Sequence, residues 1–105
     1  MWIIAAFDLP MLSPEEKKSY NKFRKFLIKK GFYALQKSVY IKYYFTTACA
    51  RSAVCNLSMN LPEKGKVVFF TMTDTRFSGQ EFFENAEKTA PPHPPEQFII
   101  FDDSS

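Results

Sequence analysis

The spacing of apolar residues along the chain changes several times, and each spacing predicts a different element of secondary structure. Residues 1–7 are a continuous apolar run that ends at Asp8, which is typical of a strand buried on both faces and central in a sheet. The sequence Ser-Pro-Glu-Glu at 13–16 predicts a helix start with a capping box. The helix should run to about Lys30, because Gly31 fits a left-handed stop.

The pattern that follows predicts two strands, a second helix and a fourth strand. The strands are expected at 32–35 and 38–44, and the helix at about 48–60 with Thr46 or Thr47 as its cap. A turn at 62–65 then leads into a strand at 66–73. The order β-α-β-β-α-β predicts an α+β, ferredoxin-like fold, with a four-stranded antiparallel sheet and both helices on one face.

The pattern breaks after Asp74, and we predict three regions. A ferredoxin-like domain spans 1–75, a linker spans 76–97, and a C-terminal strand with an acidic tail spans 98–105. Within the linker, 77–88 fits a short strand or a turn of helix, and four prolines between 89 and 97 predict an extended chain. The apolar stretch at 98–101 needs a sheet edge, which either its own subunit or a partner subunit supplies.

Composition and charge narrow the class of protein. Aromatic residues make up 17% of the chain, which predicts an aromatic-rich core. No apolar run approaches the roughly 20 residues that span a bilayer. The first seven residues resemble a strand rather than a signal peptide. Cys49 and Cys55 are too far apart in a helix to pair within one chain, and we expect both thiols to be reduced and mostly buried. These features predict a cytoplasmic protein.

Basic and acidic residues are divided unequally between the two halves of the chain. Residues 1–47 carry nine Lys or Arg and three Asp or Glu, a net charge of +6, whereas residues 48–105 carry five and eight, a net charge of −3. A basic first half indicates a polyanionic partner. The alternative is that both halves only present solvated charged faces.

Asp8 is the first candidate for chemistry. A carboxylate directly after a buried strand lies at the end of that strand, where α/β proteins often place functional groups. One carboxylate is a poor Mg²⁺ site, but two Asp8 residues that face each other across a two-fold axis could hold the metal and activate water against a phosphodiester. The alternative is a solvated or helix-capping aspartate, which the spacing alone favours.

The second candidate is a set of basic residues on the first helix and the following hairpin, where they could contact phosphates without reading bases. The residues are Lys22, Arg24, Lys25, Lys37 and Lys42. An ordinary soluble amphipathic helix explains the helical members about as well. On the hairpin, Ser38 and Tyr40 share one strand face and could bind phosphate or a partner, or simply be polar positions of the sheet. The single histidine and the cysteine spacing argue against a zinc site or a Cys–His nucleophile.

Several segments in this order resemble the Cas-two (Cas2) family of CRISPR adaptation proteins, in particular the branch found with Cas9 systems. They are Ile-Ile-Ala-Ala-Phe-Asp-Leu-Pro at 3–10, Lys-Phe-Arg-Lys-Phe-Leu at 22–27, Gln-Lys-Ser-Val-Tyr-Ile-Lys at 36–42, Pro-Glu-Lys-Gly-Lys-Val at 62–67, Thr-Met-Thr-Asp at 71–74 and Phe-Ile-Ile-Phe at 98–101. The resemblance implies a homodimer of ferredoxin-like subunits, with the C-terminal strand packed on the partner. It also implies that Asp8 matches the family's acidic residue near the two-fold axis.

Three functional hypotheses follow from the resemblance and from the residues. In the first, the dimer is a scaffold that bridges dimers of the Cas-one (Cas1) integrase on prespacer duplex DNA during spacer acquisition. In the second, the protein is an Mg²⁺-dependent endonuclease of RNA or DNA that uses Asp8 from each subunit. In the third, it is a toxin-type ribonuclease of similar fold or a plain oligomerisation module.

Overall fold

The secondary structure follows the predicted order. The structure is a computed structural model that describes residues 1–95. Its main elements are β1 (Trp2–Asp8), α1 (Pro14–Lys29), β2 (Tyr33–Gln36), β3 (Val39–Tyr43), α2 (Thr47–Leu57) and β4 (Lys66–Met72). A single 3₁₀ turn, Ser58–Asn60, continues α2. None of the helices within these 95 residues is long and apolar enough to cross a membrane.

The four strands form one sheet in the order β2-β3-β1-β4, with every neighbouring pair antiparallel. Strand β1 is central, as its apolar sequence predicts, and all of its residues except Ala6 and Asp8 are buried. Each of the two helices connects a pair of strands across the sheet. The protein is therefore an α+β, ferredoxin-like domain, which confirms the predicted fold class.

Helix α1 begins and ends with the devices that its sequence predicts. The Ser13 hydroxyl accepts a hydrogen bond from the Glu16 amide, and the Glu16 carboxylate accepts from the amides of Ser13 and Leu12. These backbone donors hold the pKa of Glu16 below its ordinary value. At the other end, Gly31 adopts a φ of +98°. Between the two ends, Tyr20, Phe23 and Leu27 are buried at helical spacing.

Helix α2 is capped by Thr46, whose hydroxyl accepts a hydrogen bond from the Cys49 amide. Only Ala50 and Leu57 of this helix are fully buried. Cys49 and Cys55 are both exposed and unpaired, so the expectation of mostly buried thiols is wrong. The reason is that the buried stripe of α2 is narrow and both cysteines lie beside it.

The two faces of the sheet carry different cores. On the helix side, Ile3, Ala5 and Phe7 of β1 pack against α1 and α2. On the opposite face, Trp2 and Ile4 pack with residues of β3 and with a segment that follows β4. We call this second side the open face, because no long helix lies on it.

The segment after β4 folds back onto one end of the open face. It contains a short helix α3 (Asp74–Ser78) and a hairpin of β5 (Phe82–Glu84) and β6 (Glu87–Thr89). Phe77 is buried and stacks on Trp2 with ring centroids 4.5 Å apart. Part of the predicted linker at 76–97 is thus regular structure, because its aromatic side chains gain apolar burial against the sheet. The domain division at residue 75 stays a prediction, and the predicted strand at 98–101 lies outside the described residues.

Candidate nucleic-acid and metal site

Asp8 ends β1 on the open face of the sheet. Side chains alternate along a strand, so Asp8 shares this face with Trp2 and Ile4. Its carboxylate is exposed, and its register partner on β4 is Lys66. On the other side, the Phe7 amide donates to the Ser38 carbonyl over 3.0 Å, which draws the β2–β3 turn alongside the end of β1. The aspartate therefore lies between the first residue of β4 and the turn before β3.

A glycine in the loop before β4 holds this end of the sheet closely packed. Gly65 has a φ of +93°, and a Cβ built on it would lie 2.6 Å from both the Asp8 carbonyl oxygen and Leu9 Cδ2. A side chain at this position would displace the backbone of Asp8. The place of the carboxylate thus depends on two connections, the ladder to β4 and the close contact with Gly65.

The Asp8 carboxylate meets only part of the requirements of Mg²⁺. The ion takes six oxygen ligands and keeps several waters, so one or two carboxylates can hold it when another ligand is present. Among residues 1–95, no group of three or more His, Cys, Asp or Glu side chains is placed to bind a metal. Asp8 alone is thus an incomplete Mg²⁺ site, and the predicted pair of carboxylates would need a second Asp8 from another subunit.

The outer face of α1 carries a row of lysines that we call the lysine row. It consists of Lys18, Lys22, Lys25 and Lys29, which are spaced three or four residues apart and are all exposed. The structure describes two ion pairs within residues 1–95, and neither includes a member of this row. Arg24 differs, because it is half-buried at the flank of the helix beside the buried stripe. The row thus presents uncompensated positive charge along about three turns of helix.

The two basic residues of the hairpin lie in different places. Lys37 is exposed in the β2–β3 turn, and its carbonyl accepts a hydrogen bond from the Tyr20 hydroxyl over 3.1 Å. Lys42 pairs with Ile3 of β1. Ile3 is five residues from Asp8, which corresponds to about 17 Å along the strand. Its ammonium donates to the Lys30 carbonyl over 2.7 Å at the end of α1 and lies 4.7 Å from the centre of the Tyr44 ring. The structure thus places Lys37 in the turn beside the end of β1, whereas Lys42 interacts with the C-terminal end of α1.

One polar residue lies elsewhere than its sequence pattern predicts, and two others near the sheet ends were not predicted. Tyr40 is buried in the helix-side core and stacks on Phe7, so the alternative that it binds phosphate is wrong. Lys66 was missed because only the register of β4 sets it opposite Asp8. Asp74 was also missed. It accepts hydrogen bonds from the N-terminal amine over 2.7 Å and from the Tyr43 hydroxyl over 2.6 Å, and these donors lower the pKa of its carboxyl group.

The fold and this site define a class of protein, namely a small ferredoxin-like domain with an aspartate at the end of its central strand and a basic outer helix. A sequence model of the CRISPR associated protein Cas2 family matches residues 1–79. The chain belongs to the Cas2 family, which confirms the resemblance seen in the sequence.

Individual relatives match over most of their length. A protein of Treponema denticola is 35% identical over 100 residues, which are 95% of this chain and 99% of the relative. A protein of Parvibaculum lavamentivorans is 34% identical over 101 residues, covering 96% of this chain and 100% of the relative. A third, from Streptococcus mutans, is 34% identical over 90 residues, covering 86% and 83%. Each of these relatives is named as a CRISPR-associated endoribonuclease Cas2.

Proposed function

We propose that the protein acts as a homodimer that binds the backbone of nucleic acid and serves as the scaffold subunit of a CRISPR spacer-acquisition complex. In this role the dimer bridges Cas1 integrase dimers on prespacer duplex DNA. The observation that carries the proposal is the lysine row, which presents exposed ammonium groups along α1. Such contacts hold a phosphate backbone without reading its sequence, as a scaffold for prespacers of many sequences requires. We expect this complex in the cytoplasm.

The homodimer is supported by apolar side chains that remain uncovered on the open face. Val68 and Phe70 of β4 are 45% and 49% exposed, and Tyr33 of β2 is 47% exposed. Val68 is the register partner of Ala6, two residues from Asp8 on the same face. A second copy that covered this part of the sheet would bury apolar surface and bring its own Asp8 near the first.

The second candidate is an Mg²⁺-dependent endoribonuclease that uses Asp8 from each subunit. It is favoured by the exposed carboxylate at the end of β1 and by the names of the relatives, which support it at least as directly as the scaffold. When bound, the metal would polarise the phosphodiester and lower the pKa of a coordinated water. Each chain would contribute one Asp8 carboxylate to hold it. Family membership favours either candidate over the toxin-type ribonuclease.

Binding by the lysine row is tested with fluorescence anisotropy of a labelled duplex at a series of salt concentrations. The slope of log K against log salt falls by about 0.9 for each phosphate contact that is lost from duplex DNA. We expect Lys22→Gln with Lys25→Gln to weaken binding and to reduce this slope. The matched control is Arg76→Gln with Lys88→Gln, which removes the same charge from exposed positions on the segment after β4. Equal binding by the two double variants would overturn the role of the lysine row.

A further inference from the structure

We propose that Lys66 is a phosphate-binding residue of the Asp8 site, and that with Lys37 it forms a pair of cations on either side of the aspartate. This inference rests on the proposed function, because it names the group that receives a backbone phosphate at the end of the sheet. The lysine row is on α1, which covers the opposite face of the sheet. The two basic surfaces are therefore separate.

The register of the sheet sets Lys66 directly beside Asp8. The two residues are Cα partners in the antiparallel β1–β4 ladder, as the last residue of one strand and the first of the other. Directly opposed residues of an antiparallel pair have Cβ atoms about 4.5–5.5 Å apart and project to the same face. Both side chains are exposed, so a ligand at the end of the open face can reach both.

Lys37 lies in the turn that precedes β3, the other strand that pairs with β1. The β1–β3 register ends at Ala6 with Val39, and the Phe7–Ser38 backbone hydrogen bond continues it by one residue. Lys37 precedes Ser38 in this turn, which lies beside the end of β1 where Asp8 follows Phe7. The turn is anchored, because the Tyr20 hydroxyl hydrogen-bonds with the Lys37 carbonyl and the Ser38 hydroxyl, each over 3.1 Å.

The charge of Lys66 is available to a ligand. The two ion pairs within residues 1–95 join the N-terminal amine to Asp74 and Lys64 to Glu16, so the Lys66 ammonium has no carboxylate within 4.0 Å among these residues. An aspartate alone repels a phosphodiester. Two flanking lysines change the local charge from −1 to +1, and lysine binds phosphate as a compact point charge. The site can then accept a phosphate next to the Asp8 carboxylate.

The test compares three single variants with the wild-type protein in the same anisotropy titration. Lys66→Gln removes the charge, and Lys66→Arg keeps it. Lys64→Gln is the matched control, because it removes an equal charge two residues away at a side chain that is 74% exposed and directed toward Glu16. We expect Lys66→Gln to reduce the salt slope by about 1 for each copy that contacts a phosphate. Lys66→Arg should restore the wild-type slope, and Lys64→Gln should leave it unchanged.

The outcomes separate this proposal from the proposed function. If the wild-type protein shows no salt-dependent binding, the proposed function fails and the role of Lys66 falls with it. If the wild-type protein binds and Lys66→Gln has the same slope as Lys64→Gln, the role of Lys66 is overturned while nucleic-acid binding stands. A loss in Lys66→Gln that Lys66→Arg does not restore would also contradict the proposal, because a phosphate contact requires the charge at this position.

Discussion

A Cβ atom at Gly65 would lie 2.6 Å from the carbonyl oxygen of Asp8, so the loop before β4 and the end of β1 are in direct backbone contact. The φ of +93° at Gly65 is itself disfavoured for any residue with a side chain. Lys66 follows Gly65 and pairs with Asp8. The absence of a side chain at one residue thus permits the arrangement of the site's acidic and basic groups.

The first prediction concerns Gly65→Ala. The new side chain is strained by its backbone conformation and overlaps Asp8 and Leu9, so we expect the free energy of unfolding to fall by at least about 2 kcal/mol. Urea denaturation measures this change. The control is Gly79→Ala, where φ is −83° and the nearest contact would be 3.4 Å, and we expect a change within about 0.5 kcal/mol. Similar losses in both variants would contradict the contact.

The second prediction concerns the turn between β5 and β6. Asn85 and Ala86 have φ values of 54° and 68°, as in a type I′ hairpin turn, which prefers Asn-Gly. Alanine in this conformation is strained by about 1 kcal/mol. Ala86→Gly should therefore raise the free energy of opening of the hairpin. Hydrogen exchange of its amides measures this quantity. Ala90→Gly, just beyond β6, serves as the same substitution outside the turn, and equal effects in both would refute the assignment.

The third prediction separates the cap lysine from a lysine of the lysine row. Lys42→Met loses the hydrogen bond from its ammonium to the Lys30 carbonyl, and we expect a loss of stability of about 1 kcal/mol with little change in the salt slope of binding. Lys25→Met should show the converse, with stability retained and the slope reduced. Thermal denaturation and the anisotropy titration decide between them. A reduced slope in Lys42→Met would show that Lys42 contacts a phosphate, as the sequence predicts.

The fourth prediction is a dependence of stability on pH. The N-terminal amine and the Tyr43 hydroxyl lower the pKa of Asp74, so the folded state binds a proton there less readily than the unfolded chain does. The stabilisation is complete above the unfolded pKa of about 3.9 and is lost as pH falls through the lower folded pKa. We expect the melting temperature of the wild-type protein to fall more steeply below about pH 4 than that of Asp74→Asn.

Tyr43→Phe serves as the matched variant for this pH experiment. It removes one of the two donors to Asp74 and should give a pH dependence between those of the wild-type protein and Asp74→Asn. Parallel curves for all three proteins would show that these hydrogen bonds do not contribute to acid stability.

The parts of the fold that were predictable depend on residues close together in sequence. The capping box of Ser13 and Glu16 and the buried spacing of Tyr20 and Leu27 are local features. Features set by contacts between distant segments were not predictable. The hairpin at 82–89 forms where Phe77 and Phe82 pack on the sheet, and the burial of Tyr40 depends on the pairing of β3 with β1.

The same distinction applies to the candidate site. Asp8 was predictable because it directly follows an apolar strand. Its neighbour Lys66 was not, because the two residues are brought together by pairing between strands far apart in the chain. The exposure of the cysteines was also unpredictable. It depends on the width of the α2 surface that packs on the sheet, and only Ala50 and Leu57 of this helix are fully buried.

The most direct test of the scaffold function is reconstitution of the protein with the Cas1 integrase and a short prespacer duplex. The wild-type protein and Asp8→Asn are compared by the mass of the complex and by the yield of integrated spacer. The scaffold function predicts that both proteins assemble the complex and support equal integration. Assembly without integration by Asp8→Asn would contradict it, and would assign the Asp8 pair to chemistry or to geometry held by a metal.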